Sequence, residues 1–258
     1  GKLVARAVSR VKRTGFVTIE EARRSEDIIE MKEGMQFDRG FISPFFVNDK
    51  VSMGVILDQP FVLVCDHRIN DIRDLLPVLK ECATEGAPLL IIAENVEGNA
   101  LSTLVLNKIK GILKVAAVKA PGFGDHRREM LEDIAAFVSG TVLSEDKGNL
   151  LKYASLNTLG RVSKAIISRD HTSIISDQQG KNERVEHRVR EIEAWLENHP
   201  RLYDKKKLEE RLSRLQGGAA VIRVGAPTEP ELKEKKERAD DALSAVRAAL
   251  EEGVIPGG

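Results

Sequence analysis

Apolar residues recur along the chain with a spacing that switches repeatedly between helical and strand-like. Between about residues 50 and 180, short runs rich in Val, Ile and Leu alternate with longer amphipathic segments. The short runs predict strands at 61–66, 88–94, 114–120 and 164–170, and the longer segments predict helices at 69–86, 98–111 and 124–140. Alternation of this kind predicts an α/β domain with at least some parallel strand pairing.

The pattern on either side of this region is richer in helices. Residues 184–198 and 205–215 each carry one apolar face and are separated by a polar break, which predicts a helical hairpin. The last long helix should start near Thr228, where Glu231 completes a capping-box pattern, and should end at Gly253. The remaining segments predict a helix at 1–12 and strands at 15–21 and 217–225.

Because both ends of the chain share this helix-rich pattern, they are expected to form one discontinuous domain. We place this smaller, mainly helical domain at residues 1–32 and 219–258, and the larger α/β domain, with β-sheets flanked by helices, at 33–218. Glycines lie where the pattern changes, as expected of hinges that absorb large backbone changes. The candidate hinge residues are Gly34, Gly217, Gly218 and Gly253.

Two of the predicted helices carry more apolar residues than one packing face needs. A surface helix docks through an apolar arc of about 100°. In segment 69–86, Leu76 and Val78 widen a stripe formed by Ile72, Leu75, Leu79 and Cys82. In segment 98–111 and just beyond it, the apolar positions are Leu101, Leu104, Val105, Leu106, Ile109 and Ile112. Either both helices are sandwiched between layers, or each presents one edge to a partner in the manner of a peptide-binding groove.

The segment FISPFF, residues 41–46, concentrates three of the eight phenylalanines of the chain. Pro44 argues against a helix interior or a central strand, so the segment is expected to be irregular or to lie at a sheet edge. Its aromatic side chains either fold back into a core or form an exposed apolar patch, which usually marks a binding surface.

Charge and cysteine content exclude several classes of function. The 40 basic and 40 acidic residues balance, which gives no support to a nucleic-acid or membrane-surface partner. No apolar run reaches the length of roughly 20 residues that spans a bilayer. Cys65 and Cys82 lie in apolar contexts without metal-ligand spacing, so we expect buried free thiols of a reducing compartment and no metal site.

Several long motifs carry a resemblance to a known family. They are EGMQFDRGFISPFF, PLLIIAENVEGNALSTLVLNKIKG, KVAAVKAPGFGDHRREMLEDIA, LQGGAAVIRVGAPTE and KEKKERADDALSAVRAALEEGVIPGG. In these motifs, and in their order along the chain, the sequence resembles the group I chaperonins, the GroEL and Hsp60 family. The resemblance assigns residues 33–218 to an apical domain and the two ends to an intermediate domain. It does not extend to the family's equatorial domain, which carries the nucleotide site.

The resemblance implies capture of non-native proteins on an apolar surface of the apical domain. A co-chaperonin of the GroES type would use the same surface, within a homo- or hetero-oligomeric ring. The positions that match are Phe41, Phe45, Phe46, Leu76, Leu79, Leu101, Val105, Leu106 and Asn107. Asp241 matches an aspartate that helps to activate the attacking water, and Arg39 and Glu229 match positions of interdomain charge contacts.

The same resemblance implies ATP and Mg as cofactors of the full-length protein, which would be an ATPase. The present chain, without the nucleotide site, is expected to be inactive alone. A bacterial cytoplasm, a mitochondrial matrix and a chloroplast stroma all agree with the resemblance. Two other hypotheses stay open at this point: an α/β enzyme with its pocket at the carboxyl ends of strands, and an interaction module that does not cycle.

Overall fold

The structure is a computed structural model that describes residues 2–11, 15–22, 25–177, 182–198 and 202–253. The chain divides into two compact units, one formed by Gly1–Gly34 with Gly217–Gly258 and the other by Met35–Gln216. Each boundary lies two residues from the expected position, and the assignment of the units to intermediate and apical domains stays a prediction. Among the described residues, no helix combines the length and apolarity that a membrane crossing requires.

The α-helices lie close to their predicted positions. They are α1 (Lys2–Val8), α2 (Leu76–Glu85), α3 (Gly98–Ile109), α4 (Gly124–Val138), α5 (Glu183–Asn198), α6 (Leu202–Leu215) and α7 (Glu229–Glu252). The break predicted between α5 and α6 includes residues 199–201, which lie outside the described part of the chain. Helix α2 is shorter than predicted, because Ile72–Leu75 form a separate 3-10 helix before it.

The predicted strands are all present, together with others that the sequence did not indicate. In chain order they are β1 (Phe16–Glu21), β2 (Ile28–Phe37), β3 (Val55–Asp58), β4 (Phe61–Cys65), β5 (Arg68–Ile69), β6 (Leu89–Ala93), β7 (Asn95–Val96), β8 (Val115–Lys119), β9 (Val142–Leu143), β10 (Gly160–Arg161), β11 (Lys164–Ile167), β12 (Thr172–Ser176) and β13 (Gly218–Val224). The α/β fold class is therefore confirmed.

The larger unit is built on a mainly parallel sheet in the order β10-β4-β6-β8. Strands β4, β6 and β8 pair in parallel, as predicted, and β10 adds antiparallel to β4. Every residue of β4 and β6 is buried, as expected for parallel strands covered on both faces. A second, antiparallel arrangement joins β12, β11 and β3, with β3 at its outer edge.

Helices α4, α5 and α6 of the larger unit meet around a buried ion cluster. Asp133 on α4 accepts hydrogen bonds from Arg211 Nε at 2.7 Å and from Arg188 Nε at 2.7 Å. The Arg211 side chain is fully buried, and both guanidinium groups lie within 6 Å of the centre of the Trp195 ring. Desolvation on this scale is tolerated because the opposite charges are paired through hydrogen bonds. The cluster fixes the helical hairpin to α4.

In the smaller unit, strands β1, β13 and β2 are hydrogen-bonded to one another in that order. Strand β13 pairs in parallel with β1 and antiparallel with β2. Helices α1 and α7 supply Val4, Ala7 and Leu243 to a core that also includes Val17 and Ile222. Leu250, two turns after Leu243 on the same side of α7, is exposed.

The start of α7 lies where predicted, but without the predicted side-chain bonds. Thr228 is the N-cap residue and Pro230 lies in the first turn. The Thr228 side chain makes no capping hydrogen bond, so the capping-box prediction is wrong. The Leu232 N–H instead donates to the Thr228 carbonyl at 3.0 Å, as in any first helical turn. Gly253 ends the helix with a φ of +82°, a conformation that favours glycine.

The unit boundaries coincide with the glycines that the sequence suggested as hinges. Gly34 has a packing reason of its own, because an added Cβ would lie 2.7 Å from the Ala219 Cβ and 2.8 Å from the Phe16 ring. At Gly218 the nearest atom to an added Cβ is 3.6 Å away, so packing does not require glycine there. Movement at Gly34, Gly217, Gly218 and Gly253 stays a prediction.

Candidate functional site

The FISPFF segment combines both interpretations that its sequence allowed. Its first residues lie along β8, at the edge of the parallel sheet. There the Ile42 N–H donates a hydrogen bond to the Ala117 carbonyl, and Phe41 forms an isolated antiparallel β-bridge with Val118. A short 3-10 helix, Pro44–Phe46, then begins at Ser43, whose Oγ accepts a hydrogen bond from Phe45 N–H at 3.3 Å. This turn points adjacent aromatic side chains in different directions.

Phe45 and Phe46 therefore have opposite environments. Phe45 is 62% exposed, whereas Phe46 is fully buried in the core of the larger unit. Phe41 is partly buried and packs against the same core. The expectation that all three phenylalanines form an exposed patch is wrong for Phe46, because its side chain fills the space beneath the turn.

Helix α2 shows the same division. Leu76, its first residue, is 40% exposed, whereas Leu79, three residues later, is buried. The hydrophobic pattern had placed Leu79 on the core stripe, and the family resemblance had placed it on the binding surface. The structure agrees with the pattern, so Leu79 is a core residue and the expectation that it faces solvent is wrong.

Helix α3 has an inner row and an outer row of apolar residues. Ala100 and Leu104 are fully buried, while Leu101 and Val105 lie at the flank and are partly buried. Leu106 is 50% exposed on the outer side. A helix sandwiched between two layers would bury both rows, so α3 carries an unpartnered apolar side.

The exposed side of α3 continues beyond the residues singled out from the sequence. Ile109 and Ile112 are both more than half exposed. Their positions were visible in the wide apolar arc of the sequence, which was the available signal. Asn107 is partly buried and donates its side-chain N–H to the Thr103 carbonyl at 2.8 Å.

The segments that carry these residues are neighbours in the larger unit. Helix α3 packs against both 3-10 helices, Pro44–Phe46 and Ile72–Leu75, and Leu76 follows the second directly. Lys108 Nζ donates to the Val47 carbonyl at 2.7 Å and ties the first of them to α3. We call the exposed and partly exposed side chains of this region the apolar face: Phe41, Phe45, Leu76, Leu101, Val105, Leu106 and Ile109.

A segment that packs on the apolar face would bury apolar side chains without having to match a specific pattern of polar groups. Apolar area removed from water contributes about 25 cal/mol per Å² regardless of the sequence that covers it. Exposed patches of this kind on a well-packed frame mark protein-interaction sites. Burial against this face therefore depends on apolar area and not on a particular sequence.

The carboxyl ends of the parallel strands, where an α/β enzyme would carry its pocket, hold charged side chains that bind one another. Glu94 Oε1, after β6, lies 3.3 Å from Arg68 Nε and 3.2 Å from Arg127 Nη1. Asp66 Oδ2, after β4, accepts from Ser144 Oγ at 2.6 Å. These side chains are paired with one another and connect the loops that follow the strands.

Cys65 and His67 lie side by side at the same edge but do not form an activated nucleophile. The Cys65 Sγ is 3.4 Å from His67 Nδ1, a separation that suits a thiol–imidazole pair. Burial, however, raises the pKa of Cys65 to about 12, so the thiol stays protonated at neutral pH. The arrangement gives no support to the enzyme hypothesis.

Both cysteines are expected to resist thiol reagents in the folded protein. Burial raises the pKa of Cys82 to about 11, against an ordinary value of 9.0. Because the folded pKa values are raised, thiol burial stabilises the protein below pH 9, and this contribution is lost as the pH rises through 11 to 12. Absorbance titration with a disulfide reagent at pH 8 should detect two thiols only after denaturation, and rapid labelling of the folded chain would contradict this.

Of the remaining candidate residues, Asp241 and Glu229 are exposed and Arg39 is partly buried. Asp241 is exposed on α7, two residues before the buried Leu243. Glu229 pairs with Lys233 at 2.9 Å, and the hydrogen bond from Lys233 lowers the pKa of this carboxyl. The Arg39 guanidinium lies 5.5 Å from the centre of the Phe123 ring. The roles that the resemblance assigned to Asp241, Arg39 and Glu229 stay predictions.

The family model described as the TCP-1/cpn60 chaperonin family matches residues 1–258. Because that match covers the chain from its first residue to its last, the protein belongs to this family of molecular chaperones.

Proposed function

We propose that the apolar face of the larger unit captures non-native polypeptides. The observation that carries the proposal is the outer row of α3, where Leu106 and Ile109 are at least half exposed while Leu104, on the same helix, is fully buried. Unfolded chains have exposed apolar area in common but no common sequence. A face that gains binding free energy from apolar burial alone therefore binds them in preference to folded proteins.

A co-chaperonin of the GroES type is proposed to compete for the same face. An apolar segment of a lid protein would bury the same side chains and displace a bound client, because both cannot cover Leu106 at once. Within this proposal the chain is the apical and intermediate part of a group I chaperonin ring. ATP and Mg would act in the full-length protein, with Asp241 reaching the nucleotide site.

Replacing Leu106 by serine is expected to abolish client capture with little loss of stability. A half-exposed side chain loses little folding energy when it becomes polar, typically within 0.5 kcal/mol. Capture would be measured as suppression of aggregation of a chemically unfolded client, and stability as the midpoint of thermal unfolding.

Leu104→Ala is the matched control on the inner row of the same helix. Truncation of a fully buried leucine costs about 2–5 kcal/mol, so this variant should unfold at a lower temperature. If Leu106→Ser unfolds the larger unit, or suppresses aggregation as well as the native chain does, the face is not the capture site.

A further inference from the structure

The carboxyl-terminal end of α3 carries positive charge that no carboxylate neutralises. Lys108 and Lys110 are the only charged residues between Gly98 and Leu113. Within the part of the chain that the structure describes, neither lysine forms an ion pair. Lys110 is exposed at the end of the helix, whereas Lys108 is partly buried. An ammonium that is withdrawn from water without a counter-ion raises the free energy of the folded protein, so the placement of Lys108 calls for an explanation.

The Lys108 ammonium is held at the junction between α3 and the turn that carries Phe45. Its Nζ donates to the Val47 carbonyl at 2.7 Å, and Val47 is the C-cap residue of the 3-10 helix Pro44–Phe46. An ammonium has three N–H donors, and the carbonyl accepts one of them without neutralising the charge. A fixed positive charge with donors left over is thus placed between two segments of the apolar face.

Lys108 also lines a cleft of about 650 Å³, whose wall includes the apolar Leu113. Of the two carboxylates in the lining, Asp58 lies 3.4 Å from Lys164 Nζ and is paired, which leaves Glu85. The cations of the lining are Lys108, Lys114 and Arg161. A concave site that combines apolar surface with an excess of positive charge favours a carboxylate attached to an apolar segment.

The opposite end of α3 does not share this charge. Ala100 N–H donates to the Asn70 carbonyl at 3.1 Å, and the amino-terminal end of α3 therefore lies beside the 3-10 helix Ile72–Leu75. Asp74 in that helix is exposed, and it forms no ion pair within the described residues. The electrostatic field along the apolar face is therefore more favourable to a carboxylate near Lys108 than at this end.

We propose that the apolar face prefers non-native segments in which an acidic residue lies beside the apolar run, and that the Lys108 ammonium binds the carboxylate of that residue. The inference rests on the proposed capture function and names the substrate class of the same face. Apolar side chains of the segment would cover Phe45 and Ile109, and this burial would shield the ion pair from water. Because shielding strengthens the attraction between opposite charges, the pair contributes more here than at an open surface.

Three labelled peptides that differ in one residue test this preference. Each contains the same run of apolar residues, followed by glutamate, glutamine or lysine. In fluorescence anisotropy at low salt, the native chain is expected to bind the glutamate peptide about tenfold more tightly than the lysine peptide, with the glutamine peptide between them. The difference should shrink as salt is added, because partly exposed charges are screened.

Lys108→Met identifies the cation that is responsible. This variant should bind the glutamate and lysine peptides with affinities that differ by less than about threefold, since the fixed ammonium is lost and exposed lysines contribute little. Lys108→Arg keeps the charge and should keep the preference. Lys206→Met removes an exposed lysine from α6 and changes the net charge by the same amount, so it should bind the peptides as the native chain does.

The outcomes separate this inference from the capture proposal. Equal binding of the glutamate and lysine peptides by the native chain would overturn the preference and leave capture intact. A preference that survives in Lys108→Met would overturn the assignment to Lys108. An equal loss of affinity for all three peptides in that variant would show that Lys108 only supports the turn. If the native chain binds none of the peptides, both proposals are wrong.

Discussion

Replacing Asp133 by alanine is expected to lower the free energy of unfolding of the larger unit by about 3–5 kcal/mol. The Asp133 carboxylate binds two nitrogens of the fully buried Arg211 and one of Arg188. Its removal deprives the buried Arg211 guanidinium of two charge-assisted hydrogen bonds and leaves the exposed Glu129 carboxylate, 2.9 Å from Arg211 Nη1, as its partner. Urea unfolding monitored by the fluorescence of Trp195 would measure the loss, since this ring lies beside both arginines.

Asp125→Ala is the control for this experiment. Asp125 is exposed in the first turn of α4, where a carboxylate contributes at most about 1 kcal/mol through the helix dipole. A loss below 1 kcal/mol for Asp133→Ala as well would show that the buried cluster does not hold the hairpin to α4.

Phe46→Ala and Phe45→Ala are expected to have opposite effects, although the residues are adjacent. Loss of the fully buried Phe46 ring should cost about 3–5 kcal/mol of stability. Loss of the exposed Phe45 ring should change stability by less than about 0.5 kcal/mol and should weaken capture of an unfolded client. Thermal unfolding and an aggregation-suppression assay on both variants would separate the two roles.

Equal destabilisation by the two variants would contradict the orientation of the 3-10 turn. Ser43→Ala is a useful addition, because it removes the hydroxyl that accepts from Phe45 N–H. Loss of such a cap typically costs about 1 kcal/mol, which would distinguish a loosened turn from a lost core side chain.

The parallel sheet could be predicted from the sequence because its strands are buried on both faces. Runs such as Phe61–Cys65 and Leu89–Ala93 are continuously apolar and are separated by segments of helical periodicity. Strand β2 was not predicted. Ile28–Phe37 has no continuous apolar run, and Glu33 and Gly34 interrupt the alternation of Ile29, Met31, Met35 and Phe37.

The candidate site could be located from the sequence but not resolved residue by residue. The direction of each phenylalanine in FISPFF depends on the 3-10 turn at Ser43, which periodicity does not reveal. Before α2, another 3-10 helix has about three residues per turn and shifts the phase of the apolar pattern, so that Val78, which the pattern grouped with Leu76 outside the stripe, is buried while Leu76 is exposed.

The parallel pairing of β1 with β13 has a consequence for synthesis of the chain. Phe16 pairs with Ala219, so about two hundred further residues must be synthesised before the partner strand of β1 exists. The larger unit, which is continuous in sequence, can form during that interval, whereas the smaller unit cannot form until β13 and α7 have emerged. Pairing over such a separation is slow, because the entropy cost of loop closure arises before the stabilising contacts form. During translation β1 is therefore an unpaired apolar segment, and the smaller unit folds after the larger one.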